Sequence, residues 1–440
     1  MPKLRKKPGG VDIIFASEPN FSGPNPLLSP YLHSMIYLDN NATTRLDPRV
    51  LDAMMPFLTD QYANASSTHP FGVGASDAVK QARQQVASLL HCDPHEIIFT
   101  SGATEAINLA IKGVTERHGD TRKHIVTVLT EHKAVLDVCG YLETRGYEIT
   151  YLPVQPSGSA NAGLLDLDVV KAAIRPDTLL VSVMFANNET GVIQPIRAIA
   201  ELTHIAGALF MTDATQAVGK LPIDIDELGI DLLAFSGHKL YGPKGAGGLF
   251  VRQSQRRTGK IGSSQRVKLE ALLHGGGHER GYRSGTLNVP GIVGLGQAAE
   301  LARLGMADAS EPQNVAGRNA ASPPVRDLRD RLETALLTIP GTSVNGDRAN
   351  RLYNTTNILF RDCDSDALIM GLADIAVSNG SACTAASIDP SHVLLAMGLT
   401  DTEAFSCLRF SLGRFTTDAD ITATVDAVRG VVEELRALVG

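Results

Sequence analysis

The sequence predicts an α/β protein built on a mostly parallel sheet with helices on both faces, followed by a smaller C-terminal α/β domain. Between residues 96 and 212, short apolar runs alternate with helical patterns, which is the order of a parallel sheet. Polar and glycine residues follow several of these runs, at the edge where such sheets bind ligands. With 440 residues and 43% apolar content, the chain can bury a large core in two or three domains.

The elements follow in chain order from their apolar periodicity. Two helices come first, at residues 48–59 and 76–90. Strands are predicted at 96–100, 124–130, 148–154, 178–185 and 209–212, and helices at 103–117, 132–145, 167–174 and 196–206. The large domain is expected to span residues 35–290. Residues 291–440 are expected to form the small domain, with helices at 325–337 and 417–438 and strands at 355–360 and 408–412.

Three stretches do not fit this pattern. Residues 1–34 combine a basic cluster with proline, serine and asparagine and have no amphipathic period, so we expect a disordered extension. A mitochondrial presequence is the alternative, which the prolines and acidic residues disfavour. Residues 254–268 and 307–324 are polar and rich in glycine or alanine, and we expect them to be surface insertions.

Composition and charge exclude several classes of function. The net charge of −7 without a strong basic patch argues against nucleic acid as a partner. No apolar run approaches the roughly 18 residues of a membrane span, and the N-terminus lacks a signal-peptide core. Five scattered cysteines without a C-x-x-C pair argue against disulfides and a zinc site. We expect a protein of the cytoplasm without a metal ion.

Residues 236–239 form the first candidate for a functional site. They follow an apolar run at 232–235 and precede a turn-rich stretch at 241–245, so they lie at the tip of a predicted strand. A lysine held in a partly apolar cleft can lose its proton and attack a carbonyl. We therefore interpret Lys239 as the nucleophile toward the aldehyde of pyridoxal phosphate. Taken alone, it could equally be a solvated lysine beside a turn.

Two other strand ends carry groups that this cofactor needs. Asp213 follows the apolar run at 209–211, one predicted strand before Lys239. A carboxylate at this place can keep the pyridine nitrogen protonated. Residues 101–105, Ser-Gly-Ala-Thr-Glu, open a helix whose free N–H groups can bind the phosphate. Considered singly, Asp213 and Thr104 could be helix caps and Gln216 a surface amide. Together, the three strand ends give phosphate, ring nitrogen and aldehyde one partner each.

Nine strings from about residue 36 to the C-terminus resemble, in the same order, the cysteine desulfurases of the NifS/IscS type, a branch of the fold type I aminotransferases. They are YLDNNATT (37–44), FTSGATE (99–105), TEHKAV (130–135), NNE (187–189), DATQ (213–216), SGHK (236–239), RSGT (283–286), SAC (381–383) and RFSLGRF (409–415). The resemblance implies a fold type I pyridoxal-phosphate-dependent transferase that converts L-cysteine to L-alanine. The sulfur is expected to serve iron–sulfur cluster assembly and related thiolation.

The resemblance also implies roles for individual residues. His132 is expected to stack on the pyridoxal ring and to move protons. Asn188 and Arg409 are expected to hold the substrate carboxylate, Arg409 by a bidentate pair. Thr286 matches a residue that reaches the phosphate of the neighbouring subunit, which implies a homodimer with shared active sites. The residues expected to bind the cofactor are Ala103, Thr104, Asn188, Asp213, Gln216, Ser236, His238 and Thr286.

Each of these residues also has an ordinary structural interpretation. His132 could be a loop residue, Asn188 a turn residue and Arg409 a surface ion-pair partner. Their place in the strings above favours the functional interpretation.

Cys383 separates a desulfurase from an aminotransferase. It lies in a segment of glycine, serine and alanine, which indicates a mobile loop. A small buried cysteine is the alternative, but the surrounding residues are not apolar. The implied mechanism gives Lys239 the removal of the Cα proton and Cys383 the attack, as thiolate, on the substrate sulfur. The product is an enzyme persulfide.

The sulfur acceptor is expected to be an iron–sulfur scaffold or another acceptor protein. The long segment from Cys383 to Gly398 resembles the desulfurases that pass sulfur directly to a scaffold. Many relatives of the IscS type, however, continue past the last helix into a tail that helps to dock this scaffold.

Three alternative functions are compatible with parts of the pattern. A selenocysteine lyase or a cysteine sulfinate desulfinase would share the cofactor site. An aminotransferase would not need Cys383. A non-catalytic sulfur-relay subunit would not need Lys239, Asp213 or His132.

Overall fold

The computed structural model describes residues 35–119, 121–253, 266–307, 324–379 and 389–439. The predicted extension, Cys383 and nearly all of the two predicted insertions lie outside these ranges. The described strands are β1 Ile36–Tyr37, β2 Ile97–Thr100, β3 His124–Val128, β4 Glu148–Leu152, β5 Thr178–Ser182, β6 Leu209–Asp213, β7 Leu232–Ser236, β8 Gly247–Val251, β9 Thr342–Val344, β10 Thr355–Phe360, β11 Ile375–Ala376 and β12 Cys407–Ser411.

Thirteen α-helices are described. They are α1 Pro48–Thr59, α2 Pro70–Leu90, α3 Ala103–His118, α4 Lys133–Glu143, α5 Leu167–Ala173, α6 Ile196–Ile205, α7 Ile225–Leu228, α8 Val289–Ala307, α9 Val325–Leu336, α10 Ser365–Gly371, α11 His392–Ala396, α12 Asp401–Ala404 and α13 Asp418–Val439. None of them is both long enough and apolar enough to cross a membrane.

A seven-stranded sheet in the order β2-β8-β7-β6-β5-β3-β4 forms the centre of the fold. The pairs from β7 to β4 are parallel, and β8 runs antiparallel to β7 and β2. This confirms the mostly parallel sheet that the sequence predicts. Because parallel strands end at the same edge, the groups that follow β6 and β7 are brought side by side.

The sheet is buried on both faces. In β7, Leu233 and Phe235 belong to one apolar cluster, whereas Leu232 and Ala234 belong to another. Successive side chains of a strand point to opposite faces, so two helical layers are needed to cover the sheet. Residues of α2 and α8 contribute to the first cluster, and residues of α3 and α4 to the second.

A smaller antiparallel sheet, β9-β10-β12, is covered by α9 and α13 around a third apolar cluster. Beside it, β1 pairs in parallel with β11, with Ile36 opposite Ile375. The first described strand therefore packs with elements from the C-terminal part of the chain. The boundary near residue 290 stays a prediction, and α8, which begins at Val289, packs on α1 and α2.

Two of the long helices differ from the sequence prediction. α2 begins at Pro70, six residues before the predicted start, because His69 accepts a hydrogen bond from the Gly72 backbone as the N-cap. Glycine at position 72 obscured the helical pattern, yet a Cβ there would lie 2.3 Å from the Ser67 carbonyl oxygen. Helix α8 was not assigned from sequence, because it begins with Val-Pro-Gly and its apolar residues lack a single face.

Candidate active site

A cavity of about 560 Å³ opens at the carboxyl edge of the large sheet. Nine of the residues expected at the site line it: Ala103, Thr104, His132, Asn188, Asp213, Gln216, Ser236, His238 and Lys239. Arg409 and Thr286 do not line it, and Cys383 lies outside the described residues. The cavity also has apolar walls, to which Ile107 and Met184 contribute.

Lys239 ends a short 3₁₀ turn, Gly237–Lys239, that directly follows β7. Its Nζ donates hydrogen bonds to the main-chain oxygens of Asn41 and Ala42, both at 2.6 Å. These oxygens belong to the segment after β1, so two distant parts of the chain meet at the lysine. The amine is thus held at the cavity wall by carbonyl oxygens, which accept hydrogen bonds but cannot donate a proton to it.

His238, beside Lys239, is held in its neutral form. Burial, followed by the positive charges of Lys239, Lys244 and Lys220, lowers the pKa of His238 to about 4. Its Nδ1 lies 3.1 Å from Thr43 Oγ1. An uncharged imidazole at this point can donate or accept a hydrogen bond without adding to the positive charge around the amine.

Asp213 ends β6, and its Oδ1 accepts a hydrogen bond from the Thr215 backbone at 2.9 Å. A second acidic residue, Glu131, is fully buried nearby. Burial and then the negative charge of Asp213 raise the pKa of Glu131 well above its ordinary value. Glu131 therefore favours its neutral form, whereas the Asp213 side chain lines the cavity.

The N-terminus of α3 lies at the cavity without a side-chain cap. The first N–H groups of a helix have no partner within it, so this end is suited to an anion. The negative charge of Glu105 lies in the first turn of this helix. Its side chain accepts hydrogen bonds from the Ser101 backbone and from Arg283. Thr215 Oγ1 is buried at the cavity without a hydrogen-bond partner among the described residues.

His132 is the N-cap of α4 and lines the cavity. Its Nδ1 accepts a hydrogen bond from the Ala134 backbone at 3.1 Å. In the neutral imidazole the ring proton therefore resides on Nε2. This fixed tautomer is what a group that moves protons beside the cavity requires.

Gln216 connects the cavity to a lysine that the sequence analysis missed. Its Nε2 donates to the Asn41 main-chain oxygen, and its Oε1 accepts from Lys220 Nζ at 2.7 Å. Burial, then the charges of Lys239 and Arg409, lowers the pKa of Lys220 to about 7. Lys220 thus fixes which end of the amide donates.

The sequence analysis also missed Asn41 and Lys244, which line the cavity. Asn41 lies within the first of the nine strings, where no local pattern distinguishes it from its polar neighbours. Lys244 lies in the turn-rich stretch after Lys239, where nothing in the local pattern distinguishes it from a solvated lysine.

Arg409 lies on β12 behind the cavity wall and is only 1% exposed. Its Nη1 donates to the main-chain oxygen of Asn188 at 3.0 Å, and its Nη2 donates to Asp39 Oδ1 at 2.6 Å. Asn188 lines the cavity, so one residue separates this guanidinium from it. Thr286 is exposed.

The groups around the cavity fit a flat, phosphorylated pyridine aldehyde. The uncapped end of α3 can receive a phosphate, the Asp213 carboxylate a protonated ring nitrogen, and Lys239 an aldehyde. His132 and the apolar walls leave room for a ring between them. The buried Thr215 hydroxyl needs an acceptor or donor that the described residues do not supply.

Comparisons with known proteins agree with this chemistry. Residues 36–424 match the family model described as Aminotransferase class-V. The chain is 50% identical over 406 residues to the cysteine desulfurase IscS of Haemophilus influenzae (strain PittGG), covering 92% of this chain and 94% of that protein. It is 49% identical over 405 residues to the IscS of Methylobacillus flagellatus, covering 92% and 93%.

Two solved structures are similar over most of the chain. One is a NifS-like protein, with a TM-score of 0.79 and 34% identity, covering 91% of this chain and 99% of that one. The other is described as SspA in complex with cysteine, with a TM-score of 0.72 and 37% identity, covering 87% and 100%.

Proposed function

The chain belongs to the class-V aminotransferase family, and on this premise we propose that it is a pyridoxal-phosphate-dependent cysteine desulfurase. It converts L-cysteine to L-alanine and transfers the sulfur to a cysteine of its own, as a persulfide that supplies iron–sulfur cluster assembly. The observation that carries this proposal is the agreement between half-identical relatives named cysteine desulfurase and a cavity that joins Lys239, Asp213 and His132.

Pyridoxal phosphate would be held by the residues that line the cavity. The first turn of α3, with Thr104, Ser236 and His238 around it, would bind the phosphate. Asp213 would pair with the ring nitrogen, and Lys239 would hold the aldehyde carbon. When bound, the cofactor supplies an electron-withdrawing ring that stabilises the electron pair left at the substrate Cα.

Lys239 and His132 provide the proton transfers. Lys239 Nζ would take the proton from the substrate Cα. The main-chain oxygens of Asn41 and Ala42 are the hydrogen-bond acceptors that orient this amine. His132, with Nδ1 engaged by the backbone, has Nε2 for exchange with the thiol groups.

Cys383 is the sulfur acceptor in this proposal. Its thiolate attacks the substrate sulfur, so that an S–S bond forms while the substrate C–S bond breaks. The electron pair of that bond remains with the carbon fragment, and protonation gives alanine. The described residues on either side of Cys383 contact neighbours of the cavity wall: Ser378 pairs with the main chain of Arg409, and Ser391 Oγ donates to Glu189, which follows Asn188.

The other four cysteines are poorly suited to accept sulfur. Cys139, Cys363 and Cys407 are buried, and Cys92 is half-buried. Burial raises the pKa of Cys139 and of Cys407 to about 12. A buried thiol of this kind is not a nucleophile, since the thiolate is the reactive form.

A homodimer is part of the proposal. On α1, the exposed residues Leu51, Met55 and Leu58 form an apolar stripe at helical spacing. The opposite face of the same helix packs on the core through Met54 and Phe57. A second copy of the chain would cover the stripe, and the exposed Thr286 is available to contact a partner's site.

The molar mass in solution of a Met55→Glu variant tests this dimer. A variant that is dimeric like the wild type would contradict the proposed interface.

The test of function is the release of alanine and sulfide from L-cysteine by the yellow, cofactor-loaded protein. Cys383→Ser should abolish persulfide and sulfide, while L-cysteine still changes the visible spectrum because the cofactor cavity is intact. Cys92→Ser is the matched control and should keep both. Sulfide release at near-normal rate from Cys383→Ser would overturn the assignment. Parallel assays with selenocysteine and cysteine sulfinate separate the alternative activities.

A further inference from the structure

The carboxylate clamp expected of Arg409 already has partners within the protein. A bidentate pair requires two N–H groups aimed at one carboxylate. Here Nη1 donates to the Asn188 main-chain oxygen and Nη2 to Asp39 Oδ1. The Nε of Arg409 has no hydrogen-bond partner among the described residues. A substrate carboxylate bound side-on to Nε and Nη2 would therefore replace Asp39, and one bound to Nη1 and Nη2 would meet an oxygen already in place at each.

The Asn188 oxygen is the less replaceable of the two. It is a main-chain atom in a turn that Asn187 braces, with Oδ1 accepting from the Glu189 and Thr190 backbones at 2.9 Å. It also accepts a hydrogen bond from Asn41 Nδ2 at 3.1 Å. Moving this oxygen would disrupt the cavity wall itself.

The Asp39 carboxylate is held much more weakly. Among the described residues its side-chain oxygens accept one hydrogen bond, from Arg409. The side chain is 16% exposed, against 2% for Arg409. Rotation of one short side chain toward solvent would release it, whereas the buried guanidinium cannot be left without an anion.

The other acidic group near Arg409 is already occupied. Glu189 Oε2 accepts a hydrogen bond from Ser391 Oγ. Burial raises the pKa of Glu189 to about 7, against the opposing influence of Ser391, Arg409 and His132. Glu189 is therefore a poor replacement for Asp39 as the counter-ion.

We propose that Asp39 is the resting counter-ion of Arg409 and that the α-carboxylate of the amino acid substrate takes its place on binding. The exchange leaves the charge around the buried guanidinium unchanged, since one carboxylate replaces another. Asp39 thereby sets the affinity and selectivity of the site for amines that bear a carboxylate. This inference rests on the proposed function, because it takes an amino acid as the substrate.

The test compares two ligands in the cofactor-loaded enzyme, L-alanine and ethylamine, which differ by the carboxylate. Calorimetric titration gives the Kd of each for the wild type, Asp39→Asn and Asp47→Asn. Asp39→Asn should bind L-alanine about tenfold more tightly, because the competing charge is gone. Its Kd for ethylamine should stay within about twofold. Asp47→Asn, which alters an aspartate–arginine pair away from the cavity, should change neither.

Two outcomes overturn the proposal. Weaker L-alanine binding in Asp39→Asn would show that Asp39 positions Arg409 and does not compete for it. An equal gain for ethylamine would show that the effect does not concern the carboxylate. Asp39→Ala, which lacks the amide, should shift the L-alanine Kd in the same direction as Asp39→Asn.

Kinetics separate this inference from the proposed function. In Asp39→Asn the KM for L-cysteine should fall with kcat unchanged, as for a change in ground-state binding. If the wild type releases no sulfide yet Asp39→Asn tightens L-alanine, the proposed function fails and the carboxylate exchange stands. If the wild type is a desulfurase and L-alanine binding is not tightened, the exchange fails alone.

Discussion

Two aspartate–arginine pairs join the segment after β1 to β12 and the residues that follow it. Asp39 pairs with Arg409 beside the cavity, and Asp47 pairs with Arg414 at the start of α1. The pairs use the same two residue types and link the same two parts of the chain. They differ in how many other groups hold each partner.

In the second pair, the carboxylate has several hydrogen-bond partners. Asp47 caps α1 and accepts hydrogen bonds from the backbone and guanidinium of Arg49 as well as from Arg414. Arg414 stacks on the Tyr241 ring at 4.1 Å. Burial alone would raise the pKa of Asp47, but hydrogen bonds from Arg49 and Arg414 lower it to about 2.

The first pair has no such support, because the side chain of Asp39 accepts a single hydrogen bond from the described residues. We therefore expect the number of hydrogen bonds to the carboxylate to distinguish a structural ion pair from one whose carboxylate a ligand can replace. We expect substitutions in the two pairs to affect different measurements.

The largest expected effect is on substrate binding. Arg409→Ala should raise the KM for L-cysteine by roughly a hundredfold, since a charge-assisted pair lost from a buried site costs about 3 kcal/mol. Arg414→Ala should leave this KM within about twofold and lower the thermal midpoint instead. An unchanged KM in Arg409→Ala would identify another group as the carboxylate clamp.

The next effect is on stability. Asp47→Asn keeps a good N-cap but removes the charge that two arginines share. The free energy of unfolding at pH 7 should fall by about 2 kcal/mol. Asp39→Asn should cost less, and urea titration of both variants measures the difference. Equal losses would remove the distinction between the pairs.

The pH dependence of the Asp47 effect follows from its lowered pKa. A carboxyl whose folded-state pKa lies below its unfolded value stabilises the fold above that unfolded value. This contribution is complete above about pH 4 and is lost as the pH falls through about 2. The stability gap between wild type and Asp47→Asn should therefore narrow between pH 4 and pH 2 in acid titrations of the two proteins.

The smallest expected effect concerns Tyr241, whose hydroxyl accepts a hydrogen bond from the Arg414 backbone at 2.7 Å. Tyr241→Phe keeps the aromatic ring under the guanidinium and removes this bond. It should lower the free energy of unfolding by about 1 kcal/mol and leave the KM for L-cysteine unchanged. A clear change in KM would connect the second pair to the site after all.

The sequence predicts well the residues of the site that follow strands, but it does not predict the ion pair beside them. Lys239 and Asp213 each follow an apolar run, so their meeting at one sheet edge can be predicted from local pattern. Asp39 and Arg409 are 370 positions apart, and no periodicity relates them. Arg409 was assigned by resemblance, but its partner Asp39 can be identified only from the packing of β12 against the segment after β1. Lys220 was missed although Gln216, from which it is four positions away, was expected at the site, because only the folded chain shows that this lysine is buried beside it.

The pairing of β1 with β11 constrains the order of folding. Strands β2 to β8 lie within a single stretch of the chain and can form the large sheet before synthesis is complete. β1 is made before them, yet its partner at Ile375 is synthesised only after all of them. Contacts between such distant positions are slow to close, because the loop entropy is lost before the contact forms. The main-chain oxygens that accept from Lys239 and the carboxylate paired with Arg409 both lie just after β1, so we expect the candidate site to be completed late in folding.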